Sequence, residues 1–138
     1  MQGHCLCGAV TLTAHSNKAL NACHCGICRK QTGGGAAFSL HSEGIQTTGD
    51  EHITHYQSSP WASRAFCKNC GTPLYVHLLG SNDYYVAAGI FDEPDFSLAA
   101  QLFIDKKANY YALANDTPKI TEAEFLAKVA AKMAQKSE

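Results

Sequence analysis

The chain has 138 residues, of which 46% are hydrophobic, and this is enough apolar material to bury one ordinary core. Eleven lysine and arginine residues against twelve aspartate and glutamate residues give a formal net charge of -1, so the chain lacks the positive charge by which nucleic-acid-binding proteins attract phosphates. No apolar run approaches the roughly 20 residues that a membrane-spanning helix needs, and a first cysteine at position 5 leaves no room for a signal peptide. We therefore expect one domain over residues 1–138, in the cytoplasm, with neither a nucleic-acid nor a membrane partner.

Short β-strands fill most of the predicted structure. Runs of four to seven residues have strand composition at 9–14, 36–40, 45–48, 52–57, 64–67, 74–78, 84–90 and 101–104. Turn signals such as Gly49-Asp50 separate these runs, and the gaps are too short for the helical crossovers of a parallel sheet. The spacing predicts a mainly β fold of short antiparallel sheets.

One helix is predicted at the C-terminus, over about residues 121–136. Thr121 and Glu124 fit a capping box, and the residues that follow are rich in alanine, leucine, lysine and methionine, which favour helix. Phe125, Val129 and Met133 recur at helical spacing, so they form one apolar stripe. We expect this stripe to pack on the sheet.

Two of the cysteine groups lie at the start and in the middle of the chain. The cytosol keeps thiols reduced, and an odd count of seven cannot pair completely, so bound metal explains the cysteines better than disulfides do. Cys5 and Cys7 emerge on the same side of an extended chain. Cys67 and Cys70 form a CxxC turn before Gly71, which can take the positive φ that follows such a turn. The two pairs are typical of a closed, structural zinc site.

The third group is Cys23, Cys25 and Cys28, three thiols within six residues. Three protein ligands leave a fourth coordination position open, as at catalytic zinc sites. The ring of His24 points to the opposite face if the chain is extended, so we expect it beside the site or in solvent, and not on the ion.

Spacing alone leaves other arrangements open. Cys25 and Cys28 could join Cys67 and Cys70 in a zinc ribbon, with the other three cysteines left over. A redox-active CxxC motif needs a βαβ setting that this chain lacks. The three-cysteine group could also be a metal or thiol-oxidation sensor that is empty in the isolated protein.

Four segments carry a resemblance to a known family: GHCLCGAV at 3–10, CHCGICRKQTG at 23–33, YQSS at 56–59 and RAFCKNCGTPL at 64–74. Through them the chain resembles the glutathione-dependent formaldehyde-activating enzymes (GFA), also called the centromere-protein-V-like (CENP-V) family. The resemblance implies an Mss4-like fold of short antiparallel sheets with zinc knuckles and a C-terminal helix. It also implies two zinc ions per chain, a structural one on Cys5, Cys7, Cys67 and Cys70 and a catalytic one on Cys23, Cys25 and Cys28.

The resemblance further implies a carbon-sulfur lyase reaction run in reverse, in which formaldehyde and glutathione give S-hydroxymethylglutathione. Our hypothesis is that a thiol such as glutathione displaces water at the open position and attacks a small aldehyde. Arg29 and Lys30 could hold an anionic thiol or form only a solvated basic turn. No catalytic residue beyond the zinc ligands and no oligomeric state is assigned. The alternative is a non-catalytic interaction module in which both zinc ions are structural.

Overall fold

The computed structural model describes residues 1–92 and 94–136, and strands dominate it. Within these residues, eleven strands and two α-helices follow one another as β1 (Gln2–His4), β2 (Thr11–Ala14), β3 (Ala19–Cys23), α1 (Gly26–Thr32), β4 (Ala37–Glu43), β5 (Ile45–Thr48), β6 (Ile53–Ser59), β7 (Ala62–Cys67), β8 (Pro73–Leu78), β9 (Asp83–Ala87), β10 (Ser97–Leu102), β11 (Lys119–Ile120) and α2 (Glu122–Lys136). Short 3-10 turns lie at Asp50–His52, Ala88–Ile90 and Ile104–Lys106. The prediction of a mainly β fold with a C-terminal helix is confirmed.

The chain divides into two compact units, each assembled from segments that are distant in sequence. The first unit comprises Met1–Leu20 and Phe38–Ser97, and the second comprises Asn21–Ala37 and Leu98–Glu138. The expectation of a single domain over residues 1–138 stays a prediction.

The first unit is built from two sheets. One has the strand order β1-β2-β5, and the other contains β4-β9-β8-β7-β6, with every described pairing in the unit antiparallel. Leu12, Leu40, Leu74 and Val86 are fully buried between them and form the centre of the core. Burial alternates along β2 and over the second half of β4, and this fixes the register of those two strands. β1 pairs with β2, and β7 pairs with β8, so the strands next to Cys5 and Cys67 are both attached to this core.

The second unit contains the strand order β11-β10-β3 together with both α-helices. β10 and β11 pair in parallel, which departs from the all-antiparallel prediction. The segment 103–118 is long enough for this crossover without a regular helix. Phe125 of α2 contacts Phe103 with ring centroids 5.1 Å apart, whereas the side chain of Met133 lies outside the described residues.

Neither described helix has the length and apolar character that crossing a bilayer requires.

The sequence patterns missed β1, β3, β11 and α1. β3 shows no regular alternation of buried and exposed residues, and β11 has only two residues. α1 is seven residues long and begins with glycine, a poor helix former. These elements depend on tertiary contacts more than on local preference.

Two candidate metal centres

Four cysteine sulfurs lie close together in the first unit. Cys5 Sγ lies 3.6 Å from Cys7 Sγ, and Cys7 Sγ lies 3.8 Å from Cys67 Sγ. These three sulfurs and Cys70 Sγ all lie within 4.8 Å of one another. Sulfurs bound at about 2.3 Å to a tetrahedral ion are about 3.8 Å apart. The four-cysteine cluster, as we call this group, can therefore hold a metal ion.

Local backbone structure presents these sulfurs. Cys5 follows β1, and its sulfur accepts a hydrogen bond from the Val10 amide at 3.3 Å. Cys67 ends β7, and its carbonyl accepts a hydrogen bond from the Gly71 amide at 2.7 Å. Gly71 has φ 78, so the left-handed conformation predicted after the CxxC turn is confirmed.

The sulfurs of the four-cysteine cluster perturb one another's ionisation. The hydroxyl of Thr72, 3.1 Å away, and the Thr72 amide lower the pKa of Cys70 to about 5. The amide of Ala9 lowers the pKa of Cys7, but burial and the neighbouring Cys5 and Cys70 sulfurs outweigh it and raise that pKa to about 12. Four like charges at this separation oppose complete ionisation, and a divalent cation removes that opposition.

The second unit places three further sulfurs together. Cys23 ends β3, Cys25 caps α1 and Cys28 lies in its first turn, and their sulfurs lie within 4.8 Å of one another. The Cys28 amide donates to Cys25 Sγ at 3.3 Å. Hydrogen bonding with the Cys25 and Cys28 sulfurs, together with burial, raises the pKa of Cys23. This three-cysteine cluster can also hold a metal ion, with one ligand fewer.

The zinc-ribbon arrangement is not the one observed. Cys25 and Cys28 converge with Cys23, while Cys67 and Cys70 converge with the two N-terminal cysteines. The identity of the metal and the structural and catalytic roles of the two clusters stay predictions.

His24 is buried, so of the two positions expected for its ring, beside the site or in solvent, the one in solvent is wrong. Only 1% of the residue is exposed. Its Nδ1 lies 2.5 Å from the hydroxyl oxygen of Tyr111, and its Nε2 lies 2.8 Å from Oε1 of Gln101. The sulfurs of the three-cysteine cluster converge without it. No local sequence pattern points to either partner, because Gln101 and Tyr111 are 77 and 87 residues away.

Comparisons with known proteins agree with the cysteine pattern. A family model described as glutathione-dependent formaldehyde-activating enzyme matches residues 1–106. A Schizosaccharomyces pombe protein described as an uncharacterized lyase is 36% identical over 132 residues, which cover 93% of this chain and 96% of that protein. A Halomonas elongata protein, provisionally named a glutathione-dependent formaldehyde-activating enzyme, is 36% identical over 88 residues, or 55% of each chain.

A crystal structure of a Rhodobacter sphaeroides protein shares the fold. The TM-score is 0.59 at 24% sequence identity, and the match covers 69% of this chain and 91% of the other.

Proposed function

This chain belongs to the family of glutathione-dependent formaldehyde-activating enzymes, and we propose that it is a zinc enzyme of the carbon-sulfur lyase class. In the proposed reaction a thiol such as glutathione adds to a small aldehyde and gives a hemithioacetal. The three-cysteine cluster carries this proposal, because it offers three sulfur ligands where a closed structural site has four. We place the protein in the cytoplasm, where its thiols stay reduced.

Both clusters fit zinc by the chemistry of their donors. All seven candidate ligands are thiols, which favour zinc over the hard cations calcium and magnesium. Cys5, Cys7, Cys67 and Cys70 would hold a structural ion, and Cys23, Cys25 and Cys28 would hold the second. When bound there, zinc would supply an open coordination position that suits a soft sulfur ligand better than water.

Two basic residues next to the three-cysteine cluster support an anionic thiol as substrate. Arg29 and Lys30 lie in the last turn of α1, where Arg29 is half-buried and Lys30 is exposed. Guanidinium and ammonium groups bind carboxylates such as those of glutathione by charge-assisted hydrogen bonds. We therefore expect glutathione to be preferred over a neutral thiol of similar size.

Exchange spectroscopy tests the activity directly. Formaldehyde and glutathione also form their adduct without an enzyme. The measurement is therefore the rate at which formaldehyde exchanges between its free form and the adduct, followed by ¹³C NMR with and without the protein. We expect wild-type protein to accelerate exchange, and Cys25→Ser to abolish the effect while native mass spectrometry still finds one zinc. Ile27→Ser is the matched control, because Ile27 lies between two of the ligands and is 41% exposed. Wild-type protein that holds two zinc ions and leaves exchange unchanged would contradict the proposal.

Zinc X-ray absorption separates the enzyme from a non-catalytic interaction module. We expect saturating glutathione to raise the mean number of sulfur neighbours per zinc in the wild type and to leave it unchanged in Cys25→Ser. An unchanged shell in the wild type would favour the module, in which the polypeptide encloses both ions.

A further inference from the structure

The hydroxyl of Thr72 contacts both halves of the four-cysteine cluster. Its oxygen accepts a hydrogen bond from the Leu6 amide at 3.1 Å and lies 3.1 Å from Cys70 Sγ. Leu6 stands between Cys5 and Cys7, which we call the N-terminal pair, whereas Cys70 belongs to the CxxC turn. Although 66 residues separate Leu6 from Thr72, one side-chain oxygen connects the two pairs of cysteines.

The backbone around Thr72 holds this hydroxyl in place. The Thr72 carbonyl accepts a hydrogen bond from the Cys67 amide at 3.0 Å, and the Gly71 amide donates to the Cys67 carbonyl at 2.7 Å. These two bonds close the turn that carries Cys67 and Cys70, and β8 begins at the next residue, Pro73. Thr72 itself is half-buried. The same turn that presents the two sulfurs therefore sets the position of the hydroxyl.

A bound metal ion would fix the direction of the hydrogen bond between Thr72 and Cys70. Between a hydroxyl and a thiol, either group can be the donor. A cysteine binds a metal ion as a thiolate, which has no proton, so the hydrogen must then come from the Thr72 hydroxyl. The lone pairs of the same oxygen still accept from the Leu6 amide. The metal-bound form thus has one complete pattern, from the Leu6 amide through the Thr72 hydroxyl to the Cys70 sulfur.

This donor differs in kind from one that serves another sulfur of the cluster. Cys5 Sγ accepts a hydrogen bond from the Val10 amide at 3.3 Å, and a backbone amide is retained when the side chain changes. The Thr72 hydroxyl depends on the residue type. Hydrogen-bonding groups next to metal ligands fix the orientation and electron density of those ligands, and their loss typically costs about 10- to 100-fold in metal affinity.

We propose that Thr72 is a positioning residue of the four-cysteine cluster. Its hydroxyl donates to the metal-bound Cys70 sulfur and holds the N-terminal pair beside the CxxC turn, and in this way it sets how tightly the cluster binds its ion. This inference rests on the part of the proposed function that gives the cluster a structural zinc ion.

Cobalt(II) binding to the Cys25→Ser chain tests the inference, because this variant leaves the four-cysteine cluster as the one intact cluster. Thr72→Val and Thr72→Ser are compared in this background by competition with a chelator of known affinity. Valine keeps the branched shape of threonine without the hydroxyl, and serine keeps the hydroxyl without the methyl group. We expect Thr72→Val to raise the dissociation constant about 10- to 100-fold and Thr72→Ser to change it by less than about 3-fold.

The absorption spectrum of bound cobalt separates a hydrogen bond to sulfur from general packing. Loss of the hydrogen bond raises the energy of the sulfur lone pair. We therefore expect the sulfur-to-cobalt charge-transfer band to move to longer wavelength in Thr72→Val and to stay in place in Thr72→Ser. Thr47→Val is the matched control, since Thr47 is also half-buried in the first unit and its hydroxyl donates to Asp50. It should change neither the dissociation constant nor the band.

Each outcome decides for or against the inference. Cobalt binding that is lost in Thr72→Val and kept in Thr72→Ser would support it. An unchanged band or an unchanged dissociation constant in Thr72→Val, or equal weakening in both Thr72 variants, would overturn the role of the hydroxyl and leave the proposed function standing. A Cys25→Ser chain that binds no cobalt would overturn the structural site of the proposed function, and the inference with it.

Discussion

The imidazole of His24 depends on two distant partners for its hydrogen bonds. Burying a polar ring is costly unless both nitrogens are bonded, and Tyr111 and Gln101 supply those bonds. The alternation of side chains along an extended strand predicts that this ring lies apart from the sulfurs, and in the structure both of its nitrogens bond to other side chains. The burial itself could not be predicted, because the side chains that cover the ring come from the far end of the chain.

Replacing His24 by phenylalanine tests the energetic importance of this network. We expect His24→Phe to lower the free energy of unfolding by about 1–3 kcal/mol, because Gln101 loses the partner of its buried side-chain oxygen. Urea titration measures the change. His15→Phe is the control, since His15 is exposed, and should change the value by less than about 0.5 kcal/mol. Equal effects of the two variants would contradict a structural role for the network.

At the scale of the element, α2 and α1 begin in different ways. The Thr121 side chain accepts a hydrogen bond from the Glu124 amide, and the Glu124 side chain accepts one from the Thr121 amide, both at 3.2 Å. The predicted capping box is therefore confirmed. This signal is local and can be read from four residues. At the start of α1, the sulfur of Cys25 instead accepts a hydrogen bond from the Cys28 amide. Cysteine is not among the residues that usually predict a helix N-cap.

The capping box of α2 makes a prediction about pH. Hydrogen bonds from the Thr121 hydroxyl and then the Thr121 amide lower the pKa of Glu124. The resulting stabilisation is present above the ordinary pKa of glutamate and is lost as the pH falls through the lowered value. We expect Thr121→Ala to return the pKa of Glu124 towards its ordinary value in a carboxyl NMR titration. Glu122→Gln, which leaves the capping pair intact, should not; an unchanged pKa in Thr121→Ala would contradict the cap.

A turn in the first unit gives a second prediction at this scale. Gly49 has φ 78, and a Cβ added there would lie 1.9 Å from the carbonyl oxygen of Ala9. Gly80 has nearly the same φ, 79, with nothing within 4 Å of an added Cβ. We expect Gly49→Ala to lower the free energy of unfolding by at least about 2 kcal/mol and Gly80→Ala by about 1 kcal/mol. Urea titration gives both free energies of unfolding. Equal losses in the two variants would contradict the prediction, because they would show that the backbone moves away from Ala9 without an energetic penalty.

At the scale of the whole molecule, the four-cysteine cluster links two distant parts of one chain. The sulfurs of Cys7 and Cys67 are 3.8 Å apart although 60 residues separate them. A cross-link that closes a long loop removes much of the entropy of the unfolded chain, and the free energy of binding a structural metal adds to the stability of the fold. The three-cysteine cluster closes only a short loop, so an ion bound there would stabilise the fold less.

Replacing one cysteine in each cluster should show that the two clusters contribute differently to stability. We expect Cys70→Ser to lower the melting temperature by about 10 °C or more, because it removes one ligand of the ion that we propose closes the long loop. Cys25→Ser should lower it by much less. Calorimetry gives the melting temperatures, and native mass spectrometry should find one ion in each variant. A larger loss in Cys25→Ser would reverse the proposed roles of the two clusters.

Sequence reasoning identifies the cysteines of both clusters but not the residues around them. Cys23, Cys25 and Cys28 are adjacent in sequence, so their convergence could be predicted from spacing. The alternating strands likewise reveal the fold class, since period-two burial is a local property. Tyr111, a partner of His24, could not be found in this way, because 87 residues separate the two in the sequence.

The discontinuity of the second unit has a consequence for biosynthesis. Cys23, Cys25 and Cys28 are synthesised well before Gln101 and Tyr111, the two hydrogen-bond partners of the buried His24. The segments of the first unit end at Ser97, so we expect this unit to begin folding before the second unit has been fully synthesised. We therefore expect the four-cysteine cluster to assemble before the surroundings of the three-cysteine cluster are complete.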